Sequence, residues 1–118
     1  MNDALGRLLS EWSAATGTTV ETWALPRHDL APEAAETIMA TLRQVLADIS
    51  LYGGAERVSV AITSDVRGVH VTLSTQSAGA IRHDTERLRA RFTRLGGAMS
   101  MNHVNGEGIT LSATLPAH

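Results

Sequence analysis

Two runs of alternating side chains joined by a turn constrain this chain more than any other feature. In residues 57–63, Val58, Val60 and Ile62 alternate with polar or small residues; in residues 69–75, Val69, Val71, Leu73 and Thr75 alternate with His70, Thr72 and Ser74. A period of two puts one set of side chains on each face, so both runs read as half-buried strands. Asp65-Val66-Arg67-Gly68 between them has turn chemistry, and the unit is a hairpin.

Helical periodicity supplies the cover for such a sheet. Asn2 and Asp3 suit the start of a first helix, where Leu5, Leu8, Leu9 and Trp12 recur at i, i+3, i+4 and i+7 before Gly17. Residues 18–24 are rich in β-branched side chains and read as a short strand that stops before Pro26. Asp29 or Ala31 leads into Pro32, a first-turn proline, and Glu33 and Glu36 suit the positive end of a helix. The second helix is predicted over residues 32–52, with Ile38, Leu42, Val45, Leu46 and Ile49 on its apolar side and Gly53-Gly54 as its stop. A third helix with Leu88, Phe92 and Leu95 inside follows Gly79 and closes at Gly96-Gly97. Strands over residues 98–104 and 109–115 flank the turn Asn105-Gly106-Glu107-Gly108.

The order α-β-α-β-β-α-β-β predicts an α+β fold: a two-layer sandwich whose mixed, mostly antiparallel five-stranded sheet carries three helices on one face. A length of 118 residues suits a single domain spanning residues 1–118. With four aromatic residues in all, the core has to be aliphatic. The absence of cysteine excludes disulfides, thiolate metal sites and a cysteine nucleophile. The chain has neither a signal-peptide pattern nor an apolar run of membrane-spanning length, so the expected location is cytoplasmic, away from membranes. A net charge of -2 does not suit a general polyanion binder, and nucleic acid is not an expected partner.

Three stretches point to a family. WSAATGTTVETW, LRQVLADISLYGGAERVSVAI, and RLGGAMSM followed by GEGITLSATLP together resemble the ATP-binding catalytic domain of two-component sensor histidine kinases, in the GHKL (HATPase) superfamily. The likeness is to the short-lid subgroup of nitrate-sensor type, and it covers nearly the whole chain. It implies a nucleotide pocket whose positions fall on Gln44, Asp48, Thr75, Ser77, Gly79, Gly106 and Gly108.

At those positions the implied chemistry is largely gone. Gln44 stands where the family has a Glu proposed as general base, and Asp48 where it has a magnesium-ligating Asn, four residues apart on one helix face. An amide cannot take a proton, and losing a general base costs roughly 10²–10⁴ in rate. Asp48 remains an oxygen donor suited to magnesium. Thr75 replaces the Asp that accepts from the adenine amino group; a bond to a charged group contributes about 1.5–3 kcal/mol. Ser77 replaces a glycine, Gly79 remains, and residues 80–87 contain no glycine, where the family has a glycine-rich lid around the phosphates. Gly106 and Gly108 match the last glycine motif.

The resemblance thus implies a vestigial pocket with no catalytic residue and a truncated lid. No cofactor and no resident metal are expected; the alternative is a weak binder of Mg-ATP or Mg-ADP with Asp48 on the metal, donating phosphate to a partner. A solvated helix face is the plainer reading of Gln44 and Asp48. All ten basic residues are arginines, and Arg87, Arg91 and Arg94 recur at i, i+4 and i+7 as a candidate partner-binding ridge. The expected role is signalling or regulation through a protein partner or self-association.

Overall fold

The computed structural model describes residues 2–26, 30–50, 57–75, 85–104 and 108–116. Its elements are α1 (Asn2–Thr16), β1 (Thr19–Ala24), α2 (Pro32–Asp48), β2 (Arg57–Asp65), β3 (Gly68–Thr75), α3 (Thr85–Arg94), β4 (Ala98–Val104) and β5 (Gly108–Pro116). This is the predicted order. The strands form one five-stranded sheet in the order β1-β2-β3-β5-β4. The β1–β2 pair is parallel and the other three are antiparallel.

The central hairpin forms as its alternation dictates. Asp65 pairs with Gly68, and Val58 pairs with Thr75 at the far end. Asp65 Oδ1 accepts from the backbone N–H of Arg67 at 2.8 Å and of Gly68 at 3.3 Å, which closes the turn with a side chain. Val58, Val60, Ile62, Val69, Val71, Leu73, Leu111, Ala113 and Leu115 all point into the core. Thr63, His70, Thr72, Thr110 and Ser112 on the opposite side are exposed. One face is therefore covered by helices and the other faces water.

Each helix contributes the stripe its periodicity indicated. Leu5 and Leu9 of α1, Ile38, Leu42, Val45 and Leu46 of α2, and Leu88 and Phe92 of α3 join one hydrophobic cluster with the sheet. Full burial of each such side chain stabilises by about 1.5–3 kcal/mol. Pro32 opens α2 behind Ala31, which makes no side-chain cap, and Asp29 lies outside the described residues. The regular helix ends at Asp48, earlier than predicted, because Ile49 and Ser50 widen into a π-type turn. Residues 51–54 lie outside the described set. Gly17 and Gly96 take positive φ, 77° and 84°, and end α1 and α3 as expected. Gly97 answers a different need: a Cβ there would overlap the Thr114 carbonyl of β5. Among the described residues no helix is long and apolar enough to cross a membrane.

Candidate functional site

The parallel β1–β2 pair makes α2 the crossover helix of a βαβ unit, so the carboxyl end of α2 lies at the end of the sheet where β2 begins. Because β3 is antiparallel to β2, it finishes at that same end, with Thr75 opposite Val58. β5 is antiparallel to β3 and starts there, with Ile109 opposite Thr75 and Gly108 next to it. Topology thus gathers Asp48, Thr75 and Gly108, with Gln44 one helical turn back, at one end of the molecule. Ser77, Gly79 and Gly106 lie outside the described residues.

Thr75 is 5% exposed, and its Oγ1 donates to the Arg57 carbonyl oxygen at 3.1 Å. The donor capacity of the hydroxyl is spent on the neighbouring strand; its oxygen lone pairs stay available as acceptors. Asp48 is 1% exposed, so the solvated helix face does not describe it. On the face that Gln44 and Asp48 share, Asp48 is buried and Gln44 is half-buried. Gly108 is buried with φ of 110°, a conformation that favours glycine at the start of β5.

The arginine ridge divides. Arg87 and Arg94 are exposed, while Arg91 is half-buried. Arg89, not part of the ridge, donates from Nε to the Met99 carbonyl oxygen at 3.2 Å, which fastens α3 to β4, and pairs with Glu86 within α3 at 2.7 Å. Arg91 and Arg94 line a cleft of about 560 Å³ between α2 and α3, facing Glu33 and Glu36. A second cleft of about 630 Å³ adjoins it along α2, sharing Glu36 and Ala40 and lined further by Ala4, Leu30, Met39 and Arg43. Neither cleft includes Gln44, Asp48 or Thr75, so these cavities lie apart from the pocket that the sequence motifs mark.

Two features escaped the sequence reading. The Arg57 carbonyl has no side-chain signature, although the turn predicts it: seven residues back from Asp65 and seven on from Gly68 are Val58 and Thr75. Glu33 and Glu36 were legible as helix-start residues, but their place opposite Arg91 and Arg94 follows from the α2–α3 contact, which local periodicity does not specify.

The histidine kinase domain of the Erythrobacter litoralis EL346 blue-light activated histidine kinase matches with a TM-score of 0.69 at 19% identity, over 96% of this chain and 59% of that one. A second structure of that kinase gives 0.67 at 19% identity, over 96% and 40%. The ATP binding domain of PrrB from Mycobacterium tuberculosis gives 0.70 at 16% identity, over 98% and 93%. The fold is that of a histidine kinase ATP-binding domain. The chain spans 59% and 40% of the two kinase structures, and nearly all of the isolated PrrB domain. Neither a protein-family model nor a curated protein matches it. Within a histidine-kinase-type fold, the end of the sheet holding Asp48, Thr75 and Gly108 is the candidate site.

Proposed function

We propose that this chain is a degenerate, non-catalytic histidine-kinase-type ATPase domain, cytoplasmic, that acts in signalling or regulation through protein contacts. The observation that carries this reading is the pair Gln44 and Thr75, neutral groups at two positions where the resemblance calls for carboxylates. A Gln at the first position leaves no general base to activate a nucleophile. At the second, a hydroxyl replaces the charged acceptor of the adenine amino group. The burial of Asp48 and Thr75 supports the same conclusion, since both offer almost no surface to an incoming ligand.

The gathering of Asp48, Thr75 and Gly108 favours a second reading, a weak Mg-ATP or Mg-ADP module that donates phosphate to a partner. Asp48 would hold the magnesium, whose charge would offset that of the phosphates, and the Thr75 oxygen would accept from the adenine amino group. Both acceptors fit in chemical type; their burial opposes direct access. Isothermal titration with ATP and magnesium separates the two readings. No heat of binding is expected up to millimolar nucleotide. Micromolar binding that Asp48→Ala removes would transfer the case to the second reading.

A further inference from the structure

The cleft between α2 and α3 has walls of opposite charge. Glu33 and Glu36 project from the first turns of α2, Arg91 and Arg94 from the last turn of α3, and half-buried Ala40 and Leu95 lie between them. Although the walls face each other, no ion pair joins them. Among the described residues the ion pairs are Arg57–Glu21 and Arg89–Glu86. Glu33, Glu36 and Arg94 are exposed. Two carboxylates and two guanidiniums thus share one cleft with their pairing capacity unused.

This arrangement discriminates among occupants. A polyanion drawn to Arg91 and Arg94 is repelled by Glu33 and Glu36, and a polycation meets the converse. A surface that carries an acidic and a basic patch side by side complements both walls together. Under a two-fold axis a second copy of this chain does so, because each acidic wall then meets the partner's basic wall twice over. Ala40 and Leu95 supply a small apolar centre within a charged rim, a usual arrangement for a contact between subunits.

We infer that the α2–α3 cleft is a self-association surface, in which Glu33 and Glu36 of each copy pair with Arg91 and Arg94 of the other. The inference rests on the protein-contact reading above and names the partner as a second copy. Its interface is isologous and held mainly by charge, so it is sensitive to ionic strength.

Sedimentation velocity on the 118-residue chain tests it. The chain is expected to form a concentration-dependent dimer that weakens at least roughly tenfold when salt rises from about 50 mM to about 500 mM. Arg91→Glu with Arg94→Glu should be monomeric, and so should Glu33→Arg with Glu36→Arg. An equimolar mixture of those two variants should recover a dimer, because every cross-pair is then attractive. A stabilising contact within one copy cannot produce that recovery. The neutral variant Arg91→Gln with Arg94→Gln, which preserves much of the side-chain bulk, should also be monomeric and covers any failure of the charge reversals to fold. A wild-type chain that stays monomeric at low salt overturns the inference, as does a dimer that survives both reversals or a mixture that stays monomeric. None of these outcomes bears on nucleotide binding, so this inference can fail while the non-catalytic reading stands.

Discussion

Thr75 shows how one side chain can be needed by the sheet at a position that the resemblance gives to a ligand. Its hydroxyl bridges β3 to the Arg57 carbonyl at the first residue of β2, at 5% exposure. Thr75→Val keeps the shape, removes the donor and leaves that carbonyl without this bond. The expected loss is about 1–2 kcal/mol, read as a lower urea midpoint with an unchanged slope. An unaltered midpoint would show that the bond contributes nothing. Asp48 was legible as a residue type but not as a buried one. Periodicity places Gln44 and Asp48 on one face, but which face turns inward depends on the full arc that α2 buries. That arc extends from Ile38, Leu42 and Val45 to Thr41 and Asp48, wider than the apolar stripe alone.

Among the elements, α1 and α2 are tied by a bond that no pattern announced. Trp12 Nε1 donates to the Leu46 carbonyl oxygen at 3.1 Å, in the last turn of α2, where that oxygen also accepts from the Ile49 backbone N–H. Trp12→Phe preserves the aromatic packing and removes the donor, so unfolding free energy should fall by about 1 kcal/mol. Amide exchange in the last turn of α2 should quicken more than exchange in β3; equal acceleration in both would show that the bond does not act locally. Element type and order were legible because alternation, helical stripes and glycine stops agree along the chain. One boundary and one register were not. The wide turn at Ile49 and Ser50 shortens α2, and a register shift between Thr22 and Ala24 leaves Trp23 72% exposed on the edge strand. Both are set by how each end docks, which local composition does not encode.

For the whole molecule, the strand order β1-β2-β3-β5-β4 is a property of long-range pairing. Local pattern gave the strands; the parallel placement of β1 beside β2 and the insertion of β5 between β3 and β4 could be anticipated only through the family resemblance. That order brings Asp48, Thr75 and Gly108 to one end; under the proposed function this end keeps the scaffold of a nucleotide pocket while the groups that would use it have changed. That reading separates two kinds of loss: altered side chains on α2 and β3, and the absence of glycine from residues 80–87. Gln44→Glu, Asp48→Asn and Thr75→Asp together restore the side chains that the resemblance calls for and leave the second loss in place. Backbone amides of a glycine-rich loop hold a triphosphate through many short contacts, and three side chains cannot replace them. The triple variant, once circular dichroism shows it folded, should still give no titration heat with millimolar Mg-ATP. Strong binding by that variant would locate the defect in the three side chains and leave the missing glycines without consequence. Continued silence would mean that recovery also requires a rebuilt loop between Thr75 and α3.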